Sequence, residues 1–213
     1  MKKLLVIVAA AGALPFVAHA ESNFVSDTGA MTASARLDFV LTVPKVLYLQ
    51  VGSGVPYLDS ATVDIINFTI PAGAVGNGTA VPGIGGDLPG GGVTVRVMGN
   101  SGSVSLTNAT TGPLSSGVAG NPTVPWSAIA VAAGTLPVTS AGYTNAAISH
   151  PPFNTGPAGG SSTAPTVLTA SGGLVRQEGS WTFSYANAVM LPSGTYGSSP
   201  SNNGVVTYTA SVP

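Results

Sequence analysis

An apolar residue at every second position commits a segment to half-buried β-structure, because strand side chains alternate between the two faces of a sheet. The stretch Ala33 to Val51, ASARLDFVLTVPKVLYLQV, carries this pattern. Ala33, Ala35, Leu37, Phe39, Leu41 and Val43 share one side, and Ser34, Arg36, Asp38, Val40 and Thr42 the other. Pro44 interrupts the run, and Val46 to Val51 resumes it. Proline has no N–H to give a central ladder, so the break suits an edge, a bulge or a bend between sheets. The spacing predicts a long, bent β-ribbon over 33–51.

Further alternating segments follow. Ala61 to Ile70 places Ile66, Phe68 and Ile70 on one face. Val93 to Met98 and Ser103 to Thr107 flank Gly99-Asn100-Ser101-Gly102, whose Asn and Gly supply the positive φ of a tight hairpin turn. Trp126 to Ala132 and Thr166 to Ala170 read as shorter strands. Trp181, Phe183 and Tyr185 alternate with Thr182, Ser184 and Ala186, and the chain closes on Gly204 to Pro213 with Val206, Tyr208, Ala210 and Val212 on one side. Gly- and Pro-rich stretches, chiefly 71–92 and 134–165, read as loops. The expected fold is all-β: a two-sheet antiparallel β-sandwich, Ig-like or jelly-roll-like, with long Gly/Pro-rich loops. Its expected interior comprises Leu37, Phe39, Leu41, Ile66, Phe68, Val95, Trp181, Phe183, Val206 and Tyr208.

The first twenty residues have the order of an export signal. Met1-Lys2-Lys3 is basic, Leu4 to Val17 is apolar, and Ala18-His19-Ala20 has the small-x-small form of a cleavage site. The expectation is a cleaved bacterial signal peptide over 1–20, a leader over 21–32, and a single sandwich domain over 33–213. The protein is then exported to the periplasm, the cell surface or the medium. No later run is long and apolar enough for a membrane helix. The chain has no cysteine, so no disulfide or thiolate chemistry supports it.

Charged residues are 6% of the chain, where about 25% is usual, yet 44% is hydrophobic. That apolar content separates it from disordered chains. Cleavage leaves Arg36, Lys45, Arg96 and Arg176 as the basic residues, too few and too scattered in sequence for a nucleic-acid footprint. His150 is the one histidine after residue 20, and no G-x-S-x-G elbow occurs. With one histidine and no cysteine, zinc is disfavoured. Asp59 and Asp64 near a strand start are the nearest thing to a Ca²⁺ pair, without supporting spacing. The glycine-rich 71–92 leads into a strand rather than a helix, unlike a phosphate cradle. The expectation is a protein without catalysis, cofactor or metal. Trp126 and Trp181 are the candidate stacking faces if the molecule binds carbohydrate.

Leu191-Pro192-Ser193-Gly194-Thr195-Tyr196, followed by a strand ending Val206-Thr207-Tyr208-Thr209, resembles the C-terminal end of spore-coat-U-type and archaic chaperone–usher pilus subunits. In those a P-x-G-x-Y corner feeds a last alternating strand. The chain differs from them in lacking a cysteine pair and in carrying Gly197 to Asn203 between corner and strand. The resemblance implies an incomplete sandwich completed by an N-terminal strand from another subunit. The functional expectation is a secreted bacterial surface protein, a fimbrial or fibre-type subunit. It would assemble through β-strand pairing with itself or another secreted surface protein, and Leu37, Phe39, Leu41 and Val43 are the candidate assembly residues. The alternative is a carbohydrate-binding or adhesive module. Sparse edge charge supports the first, since charges on edge strands normally block pairing. Whether Ala33 to Val43 serves a neighbour or is the first strand of its own sandwich stays open at this level, because either use buries the same face.

Overall fold

The computed structural model describes residues 22–197 and 200–213. The expected signal segment, 1–20, lies outside the described residues. The chain divides between Val43 and Pro44 into two units. Over 22–43 the backbone enters no ladder, and every residue is exposed. The ribbon expected over 33–51 therefore materialises only in its second half, and the sandwich begins at Pro44 rather than Ala33.

The unit Pro44–Pro213 is an all-β sandwich. Its strands are β1 (Leu47–Val51), β2 (Ile66–Asn67), β3 (Val81–Pro82), β4 (Ile84–Gly85), β5 (Gly92–Gly99) and β6 (Val104–Thr110), then β7 (Ile129–Gly134), β8 (Thr144–Asn145), β9 (Gly160–Ser161), β10 (Thr166–Leu168), β11 (Val175–Tyr185) and β12 (Val206–Ser211). One sheet runs β1-β5-β11-β3, with β7 and β8 on the other side of β11. The second runs β10-β6-β12, with β9 beside β10 on β6. β2 and β4 pair as a separate ribbon. All pairs are antiparallel except β8 with β11. The turn expected around Asn100 is present, with Gly102 at φ 102°, but it does not make a hairpin. β5 pairs with β1 and β11, and β6 with β9, β10 and β12, so the turn carries the chain from one sheet to the other. The two strands meet only through side chains in the core.

β5 and β11 form the spine of the first sheet, in register from Val175 opposite Gly99 to Thr182 opposite Gly92. Alternation sends Val93, Val95 and Val97 of β5, and Val175 and Trp181 of β11, inward. They meet Val104, Leu106 and Leu168 of the second sheet and Ile148 of a loop in one buried cluster. A second cluster, Val81, Val124, Trp126, Ile129 and Tyr185, fills the end nearest the start of β12. Each large apolar side chain fully buried here contributes about 2 kcal/mol.

The expected interior is partly right. Val95 and Trp181 are fully buried. Ile66, Phe68, Phe183, Val206 and Tyr208 are half-buried against the clusters. Leu37, Phe39 and Leu41 are not inside: they are 69%, 88% and 88% exposed. Alternation states that a face wants burial; it does not say that the same chain supplies the cover. Ala61 to Ile70 is laddered only at Ile66–Asn67. Trp126 to Ala128 is a 3₁₀ turn that feeds β7, rather than the start of a strand.

Removing a fully buried side chain separates core from arm. Leu106→Ala is expected to lower unfolding free energy by about 2–5 kcal/mol through lost burial and the cavity left. Leu41→Ala is expected to change it by less than about 0.5 kcal/mol. Urea titration of the two variants checks both.

Candidate functional site

The residues singled out for assembly fall on the exposed arm. Leu37, Phe39 and Leu41, with Val43 at 67% exposure, lie in solvent along a segment without ladder partners. Arg36 and Asp38, two residues apart on the opposite side, form a two-pronged ion pair at 2.6 and 2.8 Å. Both are exposed, so the pair adds little stability. It does cancel the two charges of the alternating stretch.

The arm joins the sandwich at a defined clamp. The Val46 N–H donates to Asn100 Oδ1 at 2.8 Å, and Asn100 Nδ2 donates to the Pro44 carbonyl at 2.8 Å. One amide side chain at the β5–β6 turn thus extends the β1–β5 ladder and fixes where the arm emerges.

β1 and β12 close the two sheets along one side of the sandwich, where they approach each other. Among the described residues neither has a strand on its outer edge. The inward side chains there are only half-covered: Leu49 and Val51 on β1, and Val206, Tyr208 and Ala210 on β12. On the central strands β5 and β6 the inward residues are buried, whereas on the β1–β12 side, as at Val131 and Phe183 on the opposite side, the cover between the sheets is incomplete. Beyond the Val206 end lies a cleft of about 360 Å³ lined by Phe68, Ile70, Val75, Leu191 and Tyr196. The Tyr196 hydroxyl donates to the Pro192 carbonyl at 3.1 Å and closes the corner that precedes β12.

β12 is anchored from inside. His150 Nε2 is hydrogen-bonded to the Tyr208 hydroxyl at 2.7 Å. The imidazole sits edge-on to Phe153 and Trp181, each with ring centroids 4.6 Å away. Burial disfavours the imidazolium and lowers the His150 pKa to about 4, opposed weakly by a backbone hydrogen bond at Pro151. Burial likewise raises the Tyr208 phenol. His150 therefore braces the open-side strand as a neutral, apolar-packed group. Its lone occurrence and the Pro-Pro that follows it give no hint of this in sequence.

A polar network lies on the outer face of the first sheet, under the 52–64 and 135–146 loops. Arg96 donates to Glu178 at 2.8 Å, to Gln50 Oε1 at 3.1 Å and to Ser140 Oγ at 2.9 Å. The Ser140 N–H donates to the other Glu178 oxygen at 2.5 Å. Burial alone would raise the Glu178 pKa, but Arg96 and the Ser140 donors outweigh it and the carboxyl is held below its usual value. All three sides of the guanidinium are taken, which marks the network as a brace for the 135–146 loop rather than a reaction centre. Sequence reading missed it because Arg96 and Glu178 are 82 residues apart.

The candidate aromatic faces are not presented to solvent. Trp181 is fully buried and Trp126 is 6% exposed. Their indole N–H groups donate to the carbonyls of Ile148 and Thr111. Both rings are core, so neither offers the stacking platform for which they were the candidates. Asp64 accepts from the Ser53 N–H and hydroxyl and pins the turn after β1. Among the described residues no group of three His, Asp or Glu side chains lies together. None of the described helices is long and apolar enough to cross a membrane. Comparison with protein-family models, curated proteins and solved structures gave no match.

His150 gives the fold an acid sensitivity of known sign. The folded pKa near 4 lies below the unfolded value of about 6.5, so on acidification the unfolded chain binds the proton first. Its contribution is complete above pH 6.5 and is lost as pH falls toward 4. Between pH 7 and 4.5 the loss is expected to be about 2 kcal/mol. His150→Asn is expected to remove this part of the pH dependence, as read by urea midpoints at the two pH values.

Proposed function

We propose that this is an exported bacterial surface structural protein that assembles into fibres, the arm Ala33–Val43 of one copy adding as a strand to the open side of another. One observation carries the reading: the arm alternates as a strand and exposes Phe39 and Leu41 at 88%, while β12 has an unpaired edge and half-covered inward side chains. Strand addition supplies main-chain hydrogen bonds along the edge and apolar side chains for the gap beneath it. The export order of residues 1–20 and the resemblance of the Leu191–Tyr196 corner to pilus subunits agree with it.

Topology favours addition between copies. Ser211 pairs with Ser105 near the β5–β6 turn, and Val206 with Thr110 at the far end. Pro44 is held at that same turn by Asn100. An arm laid along its own β12 must run from the far end back to Pro44, parallel to β12. A second copy's arm is free to run antiparallel, the more stable pairing per residue. The absence of any Asp, Glu, Lys or Arg after Glu178 leaves nothing on β12 to repel the arm.

Phe39→Asp tests the proposal. The expected result is a folded monomer with an unchanged urea midpoint and no fibres by negative-stain microscopy, where the parent chain forms them. Loss of the folded monomer, or a parent chain that forms no polymers, sinks it.

A further inference from the structure

A second free edge lies on the opposite side of the first sheet, and it has a definite hydrogen-bonding face. β7 pairs with β11 from Ile129 opposite Tyr185 to Gly134 opposite Ser180. The Ala186 N–H donates to the Ala128 carbonyl at 2.8 Å, so Ala128 and Ala186 are a hydrogen-bonded pair. In an antiparallel ladder such pairs alternate, so Ala130, Ala132 and Gly134 also turn their N–H and C=O toward β11. The Thr182 hydroxyl near the Ala132 carbonyl, at 3.5 Å, agrees with this. Phe183, opposite Val131, sends its carbonyl the other way, to the Gly83 N–H at 2.9 Å. The N–H and C=O groups of Val131 and Ala133 therefore point outward, and no described strand meets them.

None of the usual protections of an edge strand is present here. No Asp, Glu, Lys or Arg occurs between Arg96 and Arg176, and no proline between Trp126 and Leu136. The register with β11 has no bulge. Ala130, Ala132 and Ala133 are exposed and too small to shield the backbone.

We infer that β7 is a self-association edge, pairing antiparallel with β7 of a second copy about a two-fold axis at Ala132. The occupant follows from the edge itself. Its two outward residues, Val131 and Ala133, lie symmetrically about Ala132, so a second copy turned about that point presents the same groups at the same spacing and no charge to repel the first. With the axis at Ala132, Val131 of each copy faces Ala133 of the other, and every outward N–H and C=O of these two residues is paired. Only alanines and one valine per copy meet across the join, so no large side chain holds the strands apart. Isologous pairing of this kind closes on itself. It uses neither the arm nor β12, and does not depend on the arm reading.

The register has a sharp test, because the chain has no cysteine. Ala132 opposite its own copy occupies a non-hydrogen-bonded pair, with Cα atoms about 4.5 Å apart and within disulfide range. The mature Ala132→Cys chain, oxidised and run on boiled non-reducing gels, is expected to give a covalent dimer at least tenfold more abundant than Ala130→Cys does. Val131→Pro removes an outward N–H and leaves the β11 ladder intact. Added to Ala132→Cys, it is expected to abolish the dimer in a chain that still unfolds cooperatively in urea. Should that variant fail to fold, Ala133→Lys, which places a charge on the same exposed edge, is expected to give the same loss. Equal cross-linking at 130 and 132, no cross-link at 132, or a cross-link that survives the folded edge variant overturns the inference.

Discussion

The pairing of β5 with β11 is the interaction on which the other elements depend. β1 hangs on the far side of β5, while β3, β7 and β8 hang on β11, so the first sheet has no other route to continuity. The same two strands carry Val95, Val97 and Trp181, fully buried, as the floor of the core. Gly179 sits where a Cβ would lie 2.6 Å from the Ala146 carbonyl and 2.9 Å from the Gly134 carbonyl. Only glycine lets the 146–148 loop and β7 approach β11 at that point, and this loop positions Ile148 and His150 in the core.

Charge is used sparingly, and its distribution follows from where water is excluded. Inside the sandwich unit the ion pair is Arg96 with Glu178, and each partner has further hydrogen bonds that offset its desolvation. A buried pair of this kind is weak evidence of net stability but costs several kcal/mol when one partner is lost. Its effect is to specify one seat for the Ser140 loop. The second sheet carries no charged residue at all, and its strands are held by ladders and apolar contacts alone. A surface so poor in charge leaves exposed backbone edges unguarded.

Much of this was legible from period alone, and the misses have a common cause. The strands β5 and β6, the Trp181–Tyr185 face and β12 follow from two-residue alternation. The Asn100 turn was expected to close a hairpin and instead crosses between sheets, because a turn between two alternating runs reads alike whether they pair or pack face to face. The all-β class follows from the same signal and from the lack of any long helical pattern. Alternation cannot name the partner of a face, which is why Leu37, Phe39 and Leu41 were expected inside and lie in solvent. Trp126 and Trp181 were weighed as binding faces because an aromatic residue reads alike in a core and on a platform. The Asn100 clamp, the His150–Tyr208 contact and the Arg96 network join residues 38 to 82 apart, beyond the reach of any local pattern.

The open side and the arm are two aspects of one physical problem. Val206, Tyr208 and Ala210 remain half-covered because the second sheet stops at β12, and Leu37, Phe39 and Leu41 remain exposed because the arm precedes the first ladder. Neither exposure is relieved within the chain along β12 except by parallel pairing, given that Asn100 holds Pro44 at the β5–β6 turn. The Arg36–Asp38 pair leaves the arm without net charge, so bringing it to an uncharged edge desolvates no lone ion. His150 completes the logic from within. By remaining neutral against Trp181 and Phe153 it holds Tyr208 without a buried charge, and so keeps in place an edge strand with a ladder on only one side.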